Sequence, residues 1–388
     1  MADHSCKEIL IVAGEASADR YGARLVRKLR AAGNGEKAPA FFGTGGDGME
    51  RAGVRLISHA RDLASIGARE GIAHLAKYFQ TFRLLVAEAR ARRPAVAVLM
   101  DFPDFNLRLA RRLKGMGIPV VYYISPQLWG WRQGRIKSVR KYVDRMLVIL
   151  PFEEDYYRQR GVPAQFVGHP LLEEFAPKFD RTGFLGSLGL DPQRKTLALI
   201  PGSRKKEVEY ILPIFLKAAL QILEQMPAQF VISAAATVGS EHVQQVAASV
   251  LQGHPRANHF RITAEPSRDI LANADFGFVK SGTSTLEAAL VGTPFLIVYK
   301  LSALSWEITH RLVRVPFCGL VNLIAGEEVA PEFVQDDATP EALSRTALEY
   351  LRQPDKSETM RARLACVREM LGARHATDNV AEVLRSYL

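Results

Sequence analysis

The stretch Glu8-Ile9-Leu10-Ile11-Val12-Ala13-Gly14-Glu15-Ala16-Ser17-Ala18-Asp19 passes from a strand-sized apolar run into a turn of small residues. Beyond the turn, Tyr21, Leu25, Val26 and Leu29 share one helical face, while Arg20, Arg24, Arg27, Lys28 and Arg30 take the rest. Strand, turn and amphipathic helix in this order make the unit from which a parallel sheet covered by helices is built. The arginines fit a solvated face as readily as a binding surface. Small residues at the strand's end let the helix start close by, with amides free for an anion or a hydroxyl-rich ligand. Ser17 or Asp19 capping the helix explains the same pattern.

Working outward, the unit repeats. Further strands are expected at Ala40–Gly43, Ala95–Met100, Pro119–Ile124 and Met146–Leu150, alternating with helical spacing. Between Gly168 and Arg194 the pattern lapses among Pro170, Pro177, Gly183, Gly186, Gly189 and Pro192, which reads as a linker. A second series follows at Thr196–Ile200, Gln229–Ala234, Phe260–Thr263, Phe276–Val279 and Pro294–Tyr299. The expected fold is α/β, two Rossmann-like doubly wound domains facing across a cleft. From Glu341 to Leu388 only helices are expected. The expected boundaries are 1–168, 169–360 and a helical segment 361–388.

Composition agrees with a globular protein of two domains. The chain has 388 residues, 48% apolar and 24% charged, and disordered, collagenous and coiled-coil classes drop out. Cys6, Cys318 and Cys366 lie far apart, with no C-x-x-C pair, so neither a disulfide framework nor a zinc site is expected. No apolar run reaches the roughly 18 residues of a spanning helix, and the N-terminus lacks a secretory pattern, so a cytoplasmic protein is expected. Lys and Arg exceed Asp and Glu by 51 to 41; the net +10 predicts attraction to nucleic acid, a phosphorylated substrate or an anionic bilayer.

In open parallel sheets, ligands sit beyond the carboxyl ends of strands. There, Asp101-Phe102-Pro103-Asp104-Phe105-Asn106 sets a carboxylate beside aromatics, making Asp101 a candidate general base. The rival reading has Asp104 capping the next helix and Asp101 supporting the turn. Ser125-Pro126-Gln127-Leu128-Trp129-Gly130-Trp131 offers two indoles for sugar rings, acyl chains or core. Pro201-Gly202-Ser203-Arg204-Lys205-Lys206 opens a helix with exposed amides and cations, a credible phosphate site without P-loop spacing. Ser281-Gly282-Thr283-Ser284-Thr285-Leu286-Glu287 is a second donor-rich helix start, in which Glu287 either completes a capping box with Ser284 or accepts ribose hydroxyls. Two such starts in one domain suit a nucleotide diphosphate. The G-x-G-x-x-G of Gly43 to Gly48 follows the second strand instead of the first, and a glycine-rich turn explains it. From Ile66 to Ile72 and along the following helix, apolar residues flanked by Arg83, Arg90, Arg92 and Arg93 suit either an anionic bilayer or a helix core with a basic face.

Gly14–Ser17, Asp101–Asn106, Ser125–Trp131, Val167-Gly168-His169-Pro170, Leu199–Arg204 and Ser281–Glu287 occur in an order that resembles the lipid-A-disaccharide synthases, with likeness running from Ile9 to about Gln335. Ala18 stands where that family usually has Gly. The resemblance implies a GT-B fold and inverting transfer of 2,3-diacylglucosamine from its UDP derivative to the 6-hydroxyl of 2,3-diacylglucosamine 1-phosphate. It implies Asp101 as base, with Glu15 as supporting carboxylate or alternative base. It implies UDP contacts from Gly202, Ser203, Arg204, Lys205, Ser281, Gly282, Thr283, Ser284, Glu287, Asn322 and Gln335. Acceptor or lipid contacts are expected from Ser17, Asp19, Ile66, Ile72, Gln127, Trp129 and Trp131. Arg204, Lys205 and two helix N-termini can meet the leaving group's charge, so neither metal nor other cofactor is expected. The remaining expectations are peripheral attachment to the inner face of the inner membrane, and a tail that returns after about Met360 to the first domain of its own chain or of a homodimer partner. Rival readings are another UDP-sugar enzyme such as an epimerase, or a nucleic-acid-binding protein, for which no motif is present.

Overall fold

The computed structural model describes residues 7–32, 38–61, 71–174, 177–302, 306–307, 315–373 and 375–388, without the side chains of residues 16 and 71–75. The chain divides into two compact units, residues 1–173 with 371–388, and residues 174–370.

Unit 1 alternates β1 (Glu8–Ala13), α1 (Ala16–Ala32), β2 (Ala40–Gly45), α2 (Asp47–Arg51), β3 (Val54–His59), α3 (Gly71–Arg92), β4 (Val96–Met100) and α4 (Pro103–Lys114). It continues with β5 (Val120–Tyr123), α5 (Ile136–Tyr142), β6 (Arg145–Val148), α6 (Pro151–Arg158) and β7 (Ala164–Phe166). The strands form one sheet of order β3-β2-β1-β4-β5-β6-β7, and every pairing in it is parallel. Strand β4 is wholly buried because helices cover both faces of the sheet. One face carries Leu10, Val12, Leu99 and Tyr122 against α3 and α4. The other carries Ile9, Ile11, Val98 and Tyr123 against α1 and the C-terminal segment.

Unit 2 runs α7 (Arg181–Ser187), β8 (Lys195–Ile200), α8 (Lys205–Gln225), β9 (Ala228–Ser233), α9 (Ser240–Leu251), β10 (Phe260–Thr263), α10 (Ser267–Ala272), β11 (Phe276–Lys280) and α11 (Thr283–Val291). Then come β12 (Phe295–Tyr299), α12 (Leu320–Ala325), β13 (Glu332–Val334), α13 (Pro340–Arg352) and α14 (Pro354–Met370). Its sheet, also parallel throughout, has the order β10-β9-β8-β11-β12-β13. In both sheets the strand order reverses beside the unit's first strand, between β1 and β4 and between β8 and β11, which is the dinucleotide-fold arrangement.

Strands β3, β7 and β13, absent from the sequence-based expectation, are edge strands. They are only partly buried, so no continuous apolar run announces them. The segment read as a linker is largely built structure. Residues to Glu173 belong to unit 1, and α7, whose N-terminus Asp180 caps at 2.7 Å, belongs to unit 2. Arg181 fastens it by bonding the carbonyls of Pro192, Asn273 and Arg194 at 2.8–2.9 Å and pairing with Asp275 at 2.9 Å. The tail crosses later than expected. Helix α14 stays on unit 2 through buried Met360, Leu364 and Val367, and the chain returns to unit 1 of the same chain from Leu371, where α15 (Ala376–Arg385) packs.

Candidate active site

The turn after β1 and the turn after β4 are neighbours, because β1 and β4 pair in parallel from Ile9–Val96 to Ala13–Met100. Asp101 and Phe102 both have positive φ, 49° and 45°, an unfavourable state for residues with a Cβ. The turn is held there by its surroundings. The Asp101 carbonyl accepts from Asn106 Nδ2 at 2.8 Å and from the Tyr122 hydroxyl, and Asn106 Nδ2 also reaches the Met100 carbonyl at 3.1 Å. Phe102 stacks on Phe105 at 5.6 Å between centroids, and Tyr78 of α3 packs edge-on against Phe105 at 5.0 Å. Gly14 completes the fit, since a Cβ there would lie 2.7 Å from the Phe102 ring. The Asp101 carboxylate itself accepts from the Phe102 main chain within the turn. Burial, and after it the charge of Glu15, push that carboxyl up to about 6. Glu15 itself is exposed.

Of the bland readings of this turn, the capping role of Asp104 does not hold, whereas Asp101 does support the turn, through its carbonyl and through a bond from the Phe102 main chain to its carboxylate. Helix α4 starts from Phe102 without a side-chain cap, and Asp104 pairs with Arg132 at 3.3 Å and with Arg135. Asp19 caps no turn of its own helix. Buried, it accepts the main-chain NH groups of Gly46, Gly48 and Met49 at 2.7, 3.0 and 2.9 Å, so it builds the start of α2 instead of facing a ligand. Gly46 and Gly48, within the apparent dinucleotide fingerprint, serve that contact. Ser17 is half-buried on the first turn of α1. Ile66 and the side chain of Ile72 lie outside the described residues.

The loop after β5 is organised by a residue that the sequence reading missed. Glu153, 1% exposed, accepts from Ser125 Oγ at 2.7 Å, Trp129 Nε1 at 2.9 Å and the Leu150 NH at 3.1 Å. Burial raises its carboxyl to about 7 against those three bonds. Trp129 is thereby fixed, edge-on to Phe152 at 5.2 Å, whereas Gln127 is exposed and Trp131 stands 43% exposed with the Arg132 guanidinium 4.5 Å from its ring. The spacing from Ser125 to Glu153 gives no hint of the contact.

In unit 2 the corresponding turns follow β8 and β11, which also pair in parallel. Gly202, Ser203, Arg204 and Lys205 lead into α8, with Arg204 at its N-cap and largely exposed. Thr237 anchors the loop by donating to the Ser203 carbonyl at 2.7 Å. Lys280, at the end of β11, reaches the same place and pairs with Glu207 at 3.0 Å; the sequence reading passed over both. Helix α11 has Gly282 at its N-cap, with Thr283 exposed and Ser284 half-buried on its first turn. No capping box forms, and Glu287 accepts from the Ser267 hydroxyl of α10. Ser281 donates to the Cys318 carbonyl at 2.6 Å.

Asn322 and Gln335, expected near the nucleotide, have amides engaged within the protein. Asn322, fully buried, donates to the Ala330 carbonyl and Glu332 and accepts from the Val329 and Ala330 NH groups, all within 2.7–3.0 Å. The Gln335 side chain pairs with both main-chain groups of Leu301, at 2.6 and 3.2 Å. They build walls of the unit. Among the described residues, no three His, Cys, Asp or Glu side chains are grouped so as to hold a metal ion.

Each unit thus has a parallel sheet whose order reverses beside its first strand. A turn with a half-buried carboxylate stands at the reversal in unit 1, and a cationic helix start at the reversal in unit 2. This is the GT-B fold, found in glycosyltransferases and related epimerases. Two solved structures share the fold: a UDP-N-acetylglucosamine 2-epimerase described as putative, from Listeria monocytogenes (TM-score 0.67, 12% identity, 99% of this chain and 97% of that one), and the glycotransferase of kitacinnamycin (TM-score 0.62, 15% identity, 99% and 100%). Residues 9–384 match the lipid-A-disaccharide synthetase family. The lipid-A-disaccharide synthase of Geobacter sulfurreducens is 39% identical over 391 residues, covering 100% of this chain and 99% of its own. The chain belongs to the lipid-A-disaccharide synthase family, whose members are glycosyltransferases of lipid A synthesis.

Proposed function

We propose that the protein transfers 2,3-diacylglucosamine from its UDP derivative to the 6-hydroxyl of 2,3-diacylglucosamine 1-phosphate, with inversion. The observation that carries this reading is Asp101: a carboxylate at a sheet's reversal, on a strained turn, with its carboxyl raised to about 6 and therefore basic enough to share a hydroxyl proton near neutral pH. The acceptor hydroxyl gives its proton to Asp101 as its oxygen bonds the anomeric carbon. The bond from that carbon to the β-phosphate oxygen breaks, and UDP leaves with the electron pair. One base suffices for a direct displacement. Arg204, Lys205, Lys280 and the first amides of α8 and α11 meet the charge that develops on the diphosphate. Glu287 is assigned to the ribose. Trp131 and Gln127, exposed on the loop after β5, are assigned to the acceptor.

The test incubates purified protein with both lipid substrates and follows UDP and disaccharide phosphate together. Disaccharide formation by the parent, reduced about 10²- to 10⁴-fold in folded Asp101→Asn, supports the reading. UDP-sugar consumption without an acylated acceptor favours an epimerase or hydrolase instead. Attachment to an anionic bilayer is part of the proposal, supported by the exposed Phe79 and Leu84 on α3 with Arg83 between them in sequence. Failure of the protein to sediment with anionic liposomes at low salt would remove it.

A further inference from the structure

The group at the centre of the unit 2 cation cluster is a carboxylate. Glu207 Oε2 accepts the Ser203 NH at 3.1 Å, while Oε1 lies 3.0 Å from Lys280 Nζ and 3.3 Å from Arg204 Nη1. The main chain is shaped around it. Gly202 has φ +122°, and a Cβ there would lie 2.5 Å from Glu207 Oε2. The Glu207 side chain is 12% exposed beneath an Arg204 that is 81% exposed, so the carboxylate lies inside the cluster and the guanidinium covers it. A main-chain NH at a helix start, a lysine and an arginine converging on two oxygens are the partners a phosphate group takes.

We propose that Glu207 is the resident anion of this site: it keeps Lys280, Arg204 and the Ser203 amide assembled when no nucleotide is bound, and by competing for them it limits affinity for the UDP product. This rests on the reading of the loop as the diphosphate site. A poorly hydrated Lys280, 19% exposed, needs a counter-charge in the empty site. Once a diphosphate arrives, the two anions share the same cations at short range, and their repulsion raises the rate at which UDP leaves.

The experiment measures UDP affinity by calorimetry for the parent, Glu207→Gln and, as a control for net charge, Glu209→Gln, whose carboxylate faces His242 at 3.3 Å. Gln keeps the volume and one acceptor while removing the charge. UDP should bind Glu207→Gln about five- to fiftyfold more tightly, with a parallel drop in its inhibition constant, and leave Glu209→Gln within about twofold of the parent. Damage to the loop weakens binding, so it cannot produce this result. Glu207→Ala repeats the measurement if the Gln variant is unfolded. Parent binding with equal or weaker binding by the Glu207 variants would overturn the inference alone. Equal tightening in both Gln variants would overturn it too, by showing a general charge effect. A parent that does not bind UDP would overturn the nucleotide reading beneath it.

Discussion

Asp101 takes its raised proton affinity from burial and from the charge of Glu15, and this separates it from Glu15 experimentally. Burial supplies the larger part of the upward shift to about 6 and the Glu15 charge a smaller part. If Asp101 is the base, turnover rises with pH up to about 6 and levels above it, since only the carboxylate can accept the hydroxyl proton. Glu15→Gln removes the neighbouring negative charge, so Asp101 ionises more easily and the limb moves to lower pH while turnover on the plateau persists. A pH–rate profile of both proteins checks this; loss of the plateau in Glu15→Gln would make Glu15 the base. At this scale the sequence is legible where a residue's chemistry needs no distant partner. Asp101 and Arg204 stand out at strand ends. Glu153, Glu207 and Lys280 do not, because each takes its meaning from groups that chain folding brings to it, and Asp19 and Asn322 look like ligand contacts until their main-chain partners are seen.

At the scale of elements, Glu153 joins the loop after β5 to the start of α6. Its folded-state carboxyl is held up to about 7, above the ordinary 4.5, so protonation favours the folded protein. Its contribution is fully present below pH 4.5 and is lost as pH rises through about 7. Glu153→Gln should therefore flatten the fall of stability across that window relative to the parent. It should also lower stability at pH 5 by about 1 to 2 kcal/mol, because the amide nitrogen put in place of one carboxyl oxygen cannot accept, leaving Ser125 and Trp129 or the Leu150 NH without their acceptor. Thermal unfolding at several pH values, followed by tryptophan fluorescence, reads both effects. Helices and central strands were legible here because their apolar runs reflect burial on both faces. Edge strands β3, β7 and β13 were not, since they are only partly buried and carry polar residues such as Arg55, Gln165 and Glu332, whereas β10, also at an edge, was legible.

At the scale of the whole molecule, the last segment is fastened to the rest of unit 1 by several contacts, among them a Lys28–Asp378 ion pair at 2.6 Å and the carboxylate of Glu173. Glu173 accepts from the Thr377 NH at 2.6 Å and its hydroxyl at 2.5 Å, and pairs with Arg24 of α1 at 2.9 Å. Asn379 adds a bond to the Val167 carbonyl at 2.9 Å, and Val380, Ala381 and Leu384 enter the core. Glu173→Ala should lower stability by about 1 to 3 kcal/mol and raise hydrogen exchange within 376–385 before it does so in β1 or β4. Unchanged exchange there would show that apolar packing alone holds the helix. The net +10 charge and the absence, among the described residues, of a helix long and apolar enough to span a bilayer leave surface attachment to the liposome test.

The sequence by itself determined the two parallel sheets, their covering helices and the turns where chemistry gathers, because burial on both faces of a strand demands an apolar run and a helix start demands small, polar residues. Only the tertiary structure decided which polar residues in those turns are bonded within the protein, as Asp19 and Asn322 are. Strand order sets β1 beside β4 and β8 beside β11, and that juxtaposition, which no local spacing encodes, brings Asp101 near Glu15 and closes Lys280 and Arg204 around Glu207.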